Sequence, residues 1–170
     1  MSRIHVCSIF KIADMAEATG ARSLVTVINH DIIVHRPAGI APERHLFVAV
    51  SDITAETEGH VLAGEPHVAS LLEFVKLWDR EQPLLIHCFA GVSRSTAAAF
   101  ISACALSPQR DESEIAQAIR QASPTATPNP RLVAVADNML GRNGRMVKAI
   151  EKIGRGEECI EGVPFGLDLH

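Results

Sequence analysis

Residues 84–97 read LLIHCFAGVSRSTA. An apolar run ends in Cys88, Gly91 follows, and Arg94 stands six positions beyond the cysteine with Ser93 and Ser95 on either side. The five residues between Cys88 and Arg94 are enough to curl the backbone so that several N–H groups point at one centre, with Gly91 supplying permissive dihedrals at the middle of the turn. A helix beginning at Arg94 adds its free amides and dipole to the same positive potential. Such a loop is an oxyanion cradle. The same groups favour a thiolate at Cys88, which is then a nucleophile. The planar fork of Arg94 matches two oxygens of a phosphoryl group and keeps hold of charge in a five-coordinate transition state, where lysine would match the charge without the fork.

The backbone from Phe89 through Ala90, Gly91, Val92 and Ser93 to Arg94 forms the proposed lining. Ser95 is placed to donate a hydrogen bond to the Cys88 sulfur and help it leave. His87 precedes Cys88 on a strand, so alternation turns it away from the cradle. It reads as a buried orienting residue that donates to loop carbonyls, not as a proton shuttle. For Ser93, stabilisation of the loop is the simplest role. Taken singly, a cysteine after an apolar run is commonly core and an arginine opening an Ala-rich helix is commonly a surface charge. The chemistry is carried by their combination with the strand before, the glycine within and the helix after.

Elements able to position this loop flank it on both sides. The runs at 4–9, 23–29, 45–52 and 84–88 are β-branched and apolar in the manner of strands, the second and fourth being apolar enough for cover on both faces. Ser8 is a candidate cap for a helix over 10–18, stopped by Gly20. Val68, Leu71, Leu72, Val75 and Trp78 recur at helical intervals within 67–79, after an exposed loop that follows Asp52. The helix over 94–106 carries no charge after Arg94 and is therefore surrounded by protein. Further helices are predicted from Asp111 or Ser113 to about Gln121, from Pro130 to Leu140, and over 145–153. Strand and helix alternate to residue 106 and helices follow. The pattern calls for an α/β fold: a central, mainly parallel sheet of four to five strands flanked by helices. Residues 1–170 read as one domain, with 154–170 a loosely specified tail. In such folds ligands collect beyond the carboxyl ends of the strands, where Cys88 falls.

Composition narrows the partners. Aromatic residues make up only 4% and tyrosine is absent, so the core is drawn mostly from Ala, Val, Leu and Ile. A formal charge of -4 gives no general reason for a nucleic-acid or membrane partner, although positive potential gathered in one cleft can still take an anion. Cysteines at 7, 88, 104 and 159 show neither CxxC nor Cys/His ligand spacing, and the eight histidines are scattered. No metal or other cofactor is expected. With no apolar segment of membrane-spanning length and no export signal, the expectation is a reduced, cytoplasmic protein.

The stretch HCFAGVSRS, 87–95, resembles the HCxxGxxRS/T signature of the cysteine-dependent protein tyrosine phosphatase superfamily. The arrangement over about 20–150 resembles its small bacterial members, near the compact dual-specificity group. The resemblance implies a phosphocysteine formed on Cys88, phosphate held by Arg94 and the 89–94 backbone, hydrolysis assisted by Ser95, and His87 as structural support. It also implies a general acid on a neighbouring loop some thirty residues before the cysteine. Asp52 matches best, with Glu56 and Glu58 nearby as alternatives. Asp79 is discounted because its helix should end at the opposite edge. Phosphotyrosine in proteins is the family's default substrate; a small phosphomonoester is the other candidate.

Departures from the family bear on substrate. The loop contains no lysine, unlike many lipid-phosphate members, which favours substrates with a single phosphoryl group. No counterpart of the phosphotyrosine-recognition loop is found, and the central loop with no Asp-Pro separates the chain from the low-molecular-weight phosphatases. The segment 128–146 resembles a C-terminal stretch of the small relatives. Its Asn129, Arg131, Asp137, Asn138 and Arg142 read chiefly as helix caps and ion-pair partners. Two alternatives of different chemistry remain: an inactive phosphate-binding scaffold or sensor, and a rhodanese-type sulfurtransferase. Cys7, Cys104 and Cys159 read as ordinary, with any of them a candidate disulfide partner of Cys88 on oxidation.

Overall fold

The computed structural model describes residues 2–170. Five strands form one sheet: β1 (Arg3–Cys7), β2 (Ser23–Ile28), β3 (His45–Ala49), β4 (Leu84–His87) and β5 (Phe165–Asp168), in the order β3-β2-β4-β1-β5. The first four run parallel and β5 runs antiparallel to β1. Every residue of β2 and β4 is buried, as their uninterrupted apolar runs require of strands covered on both faces. Strand β3 ends at Ala49, earlier than the expected 52. Ser51 leaves β2 and instead pairs with Val61, its N–H donating to Val61 O at 2.9 Å.

One face is covered by α1 (Ile12–Thr19), with Ile12, Leu24, Ile40 and Leu85 at its core. Ser8 caps a 3-10 turn over Ile9–Lys11 that leads into this helix, and Gly20 ends it in a left-handed conformation at φ 74°. The other face carries α2 (Glu65–Leu77), α3 (Arg94–Leu106), α4 (Glu112–Ala122), α5 (Pro130–Met139) and α6 (Arg145–Ile153). Helix α2 begins two residues before its apolar pattern, because Pro66 fits a first turn and His67 Nδ1 accepts from the Gly64 N–H at 3.0 Å. Helix α3 lies between the sheet and α2, α4 and α5. Its residues from Arg94 to Cys104 are all buried, and Ala97, Ala98, Ala99 and Ala103 allow the close approach this needs. Glu112, buried on α4, accepts from Arg142 at 2.9 Å and Arg145 at 3.1 Å, joining α4 to the turn between α5 and α6. Asp137 accepts from the N–H groups of Gly144, Met146 and Val147 and so caps α6.

Residues 154–170 correct the expectation of a loose tail. The chain leaves α6, binds Thr127 Oγ1 through Gly156 N–H at 3.0 Å and Pro124 O through Glu157 N–H at 2.9 Å, crosses the 88–94 loop, and enters the sheet as β5. Before β5 the segment has no helical or strand period, because its contacts there are irregular backbone bonds made residue by residue. Among the described residues, no helix is long and apolar enough to cross a membrane.

Candidate active site

The carboxyl ends of β1 to β4 share one edge, and they bring Ser8, Asn29, Asp52 and Cys88 to the same end of the sheet. The loop after β4 is held from outside by five hydrogen bonds to its carbonyls. His87 Nδ1 bonds Cys88 O at 2.9 Å, Ile9 N–H donates to Phe89 O at 3.0 Å, and Gly162 N–H donates to Ala90 O at 2.9 Å. Thr127 N–H donates to Val92 O at 2.9 Å, and Asn129 N–H to Ser93 O at 3.1 Å. Each carbonyl drawn outward turns the next residue's N–H inward, because the two groups of one peptide unit are antiparallel. The amide-lined cradle thus depends on the 3-10 turn, the 124–129 bridge and the C-terminal crossing as much as on the loop itself.

Gly91 is required at its position. Its φ is 74°, and a Cβ there would stand 2.8 Å from the backbone of Cys7 and Ser8 at the end of β1. Its N–H points at the sulfur, donating to Cys88 Sγ at 3.3 Å. Ser95 Oγ lies 3.0 Å from the same sulfur. Arg94 is only 7% exposed. Its Nη1 donates to Asn29 Oδ1 at 2.7 Å and Val50 O at 2.9 Å, while its buried Nε has no partner among the described residues. A buried guanidinium N–H without an acceptor is costly, and an oxyanion in the cradle would satisfy it. Asn29 is in turn fixed by donation from its Nδ2 to Ser51 Oγ at 3.3 Å. The sequence reading missed Asn29. Its only signal is its place at the end of β2, beside the strand that leads into Cys88.

Cys88, Phe89, Ala90, Val92, Ser93, Arg94, Asp52 and Cys159 line a cavity of about 320 Å³. A recess of about 410 Å³ between α1 and the 37–40 loop contains no nucleophile. Asp52 lies at the cavity mouth, where Oδ1 accepts from Ser93 Oγ at 2.7 Å and from Asn129 Nδ2 at 2.8 Å. Both donors engage Oδ1, and Oδ2 takes no hydrogen bond from the described residues. Asn129 therefore does more than cap: its Oδ1 accepts from the N–H groups of Arg131 and Leu132, and its Nδ2 holds Asp52. Arg131, Asp137 and Arg142 serve structure, bonding Ala63 O, the α6 amides and Glu112 respectively. Glu56 and Glu58 do not line the cavity. Asp79 pairs with Arg44, just before β3, at the amino edge of the sheet.

His87 lies beneath the loop, fully buried. Cys88 O can only accept, so Nδ1 carries a proton; a neutral ring then accepts at Nε2 from Thr26 Oγ1 at 2.7 Å, and Thr26 accepts from His45 Nε2 at 2.7 Å. Burial is the main cause that lowers His87 to about 4, with His45 and Arg94 adding to the effect against the Cys88 carbonyl bond. On acidification the unfolded chain takes up this proton first, near 6.5. Stability from this site is therefore complete above 6.5 and is lost progressively down to about 4, by on the order of 3 kcal/mol. The difference in urea midpoint between pH 7 and pH 4.5 should be larger for the wild type than for His87→Asn, which keeps a donor but does not titrate. Equal differences would exclude His87 as a source of the acid sensitivity.

The other cysteines separate by environment. Burial pushes the Cys7 and Cys104 thiols up to about 12, whereas Cys159 is exposed and reaches the cavity wall. Among the described residues, no group of three or more His, Cys, Asp or Glu side chains is disposed to hold a metal ion.

Comparison with known proteins bears on this geometry. The family model described as protein-tyrosine phosphatase matches residues 58–127, a span that includes the whole 88–94 loop. No curated protein matches the chain in sequence. Among solved structures, the PTP-2 phosphatase of Cydia pomonella is similar with a TM-score of 0.63 at 20% identity, covering 79% of this chain and 84% of that one. A mouse putative dual specificity phosphatase complexed with zinc tungstate gives 0.61 at 20% identity and 84% coverage of each chain. Human DUSP28 gives 0.59 at 21% identity, covering 82% of this chain and 94% of its own. With a mostly parallel five-stranded sheet flanked by helices and a strand–loop–helix cradle at its carboxyl edge, the chain has the fold of the cysteine-based protein tyrosine phosphatases, in the form related to dual-specificity enzymes.

Proposed function

We infer that the protein hydrolyses phosphate monoesters through a phosphocysteine intermediate, with phosphotyrosine in proteins as the default substrate. The observation that carries this reading is that Cys88 and Arg94 line one cavity, with the Arg94 Nε buried and without a partner among the described residues. Phosphate held by the inward amides and the Arg94 fork presents phosphorus to Cys88 Sγ. The sulfur attacks in line, the phosphorus–oxygen ester bond breaks, and Asp52 Oδ2 gives a proton to the departing oxygen. The deprotonated Asp52 then takes a proton from water as that water attacks phosphorus and the sulfur leaves. The Ser95 hydroxyl, 3.0 Å from the sulfur, donates to it as negative charge returns.

Leaving-group protonation gives the test. In Asp52→Ala, turnover of phenyl phosphate should fall by about 10²- to 10³-fold, as expected for loss of a general acid. An ester of a strongly acidic phenol, whose oxygen departs unprotonated, should lose at least about tenfold less. Equal losses on both esters would remove Asp52 from the acid role.

A further inference from the structure

A second cavity, of about 370 Å³, opens beside the first and shares Asp52, Val92, Ser93 and Cys159 with it. Its outer wall is the C-terminal crossing, with Arg155, Glu157 and Glu158. The two cavities contrast in charge. The first is lined by the buried Arg94, whereas the second is lined outside the shared residues by the carboxylates of Glu157 and Glu158 against one guanidinium. That guanidinium, on Arg155, lies 3.6 Å from Glu158 with both side chains largely exposed, so water screens the pair and it contributes little. Glu157 has no ion pair among the described residues.

We propose that this second cavity is a leaving-group subsite that takes a cationic side chain next to the phosphorylated residue of a polypeptide substrate. The proposal rests on the phosphatase reading, because it is the phosphate, anchored by Arg94, that fixes the substrate's position across the sill of Asp52, Ser93 and Cys159. A ligand so anchored directs whatever is attached to its leaving oxygen past Asp52, and the adjoining space there is negative. A peptide suits the pair of cavities better than a small ester does: each has room for one side chain, one receiving the phosphorylated residue and the other its neighbour. The same carboxylates disfavour a neighbour that is acidic or itself phosphorylated. This specificity arises from the segment that crosses the loop after α6, outside the 84–97 stretch.

The test compares phosphotyrosine peptides carrying Lys or Glu, one at a time, at each of the two positions on either side of the phosphorylated residue. At one or more positions Lys should raise kcat/KM over Glu by about three- to tenfold, the size expected of one or two solvent-facing charge pairs, and the ratio should shrink at high salt. The double variant Glu157→Gln, Glu158→Gln should bring the ratio to within about twofold, and Glu157→Lys, Glu158→Lys should invert it. Both side chains are exposed, and phenyl phosphate turnover should not change in either variant. No Lys preference at any position, or a preference that survives the Gln substitutions, overturns the subsite. Should the wild type fail to hydrolyse phenyl phosphate, the catalytic reading falls on its own. Binding of the same peptides to Cys88→Ser then still reads the subsite, the Lys peptides binding more tightly if it stands and equally if it does not.

Discussion

Replacement of Cys88 by serine should abolish turnover and leave oxyanion binding close to that of the wild type. The two outcomes separate because different atoms supply them. Binding comes from loop amides that are turned inward by bonds from His87, Ile9, Gly162, Thr127 and Asn129 to the loop carbonyls, and from Arg94; none of these is altered by exchanging sulfur for oxygen. Turnover requires a strong nucleophile, which a serine hydroxyl without an adjacent base is not. The loss should be on the order of 10⁴-fold or more, the scale seen when an essential nucleophile is removed. Cys7 and Cys104 cannot substitute, since burial holds both thiols at about 12. Phosphate release and orthovanadate affinity, measured on the same preparation, check both halves. Wild-type turnover in the variant would exclude Cys88 as nucleophile. Thiocyanate formation from thiosulfate by the wild type, without phosphate release, would point to sulfur transfer instead.

The sheet and the loop were legible because their signals are local. Uninterrupted apolar runs such as SLVTVI and LLIH predict doubly covered strands, the uncharged face-to-face composition of 95–106 predicts a buried helix, and both are found. Where prediction fell short, the determining contacts are distant in sequence. Strand β3 stops at Ala49 because Ser51 bonds Val61. The stretch 154–170 gave no period, yet Gly162 sits against the loop so closely that a Cβ would stand 2.8 Å from Gly91 O. Asn29 and Asn129 illustrate the same limit at the site. An asparagine at a strand end or before a helix reads as a turn or a cap, and Asn129 is a cap. Only the fold shows that its second group holds Asp52 and that Asn29 holds Arg94.

Asp52 and Arg94 are thus treated alike: each has one atom tied to the protein by two hydrogen bonds and another, Oδ2 or Nε, with no such bond among the described residues. Oδ1 of Asp52 takes two hydrogen bonds, and Nη1 of Arg94 makes two. The arrangement fixes orientation before substrate arrives, which is where preorganised polar groups gain their advantage over water.

For Arg94→Lys the expectation follows from that division of labour. A guanidinium can hold Asn29 Oδ1 and Val50 O through Nη1 while offering Nε to the anion, since the two edges of one rigid plane point in different directions. A single ammonium on a flexible stem cannot do both. If it turns to the anion, Asn29 Oδ1 and Val50 O lose their donor at a buried site, at about 1–3 kcal/mol for the unsatisfied acceptors. If it stays with them, the transition state loses its fork. Either way kcat/KM should fall by about 10²- to 10³-fold, the size expected for one lost donor to developing charge. Orthovanadate affinity should fall with it, which distinguishes this variant from Cys88→Ser. Asn29→Ala keeps the charge and the fork but frees the guanidinium to wander, so its loss should be smaller and its orthovanadate affinity closer to wild type. Activity of Arg94→Lys within tenfold of wild type, with anion affinity unchanged, would mean that charge alone suffices and that the orientation set by Asn29 and Val50 has no part in catalysis.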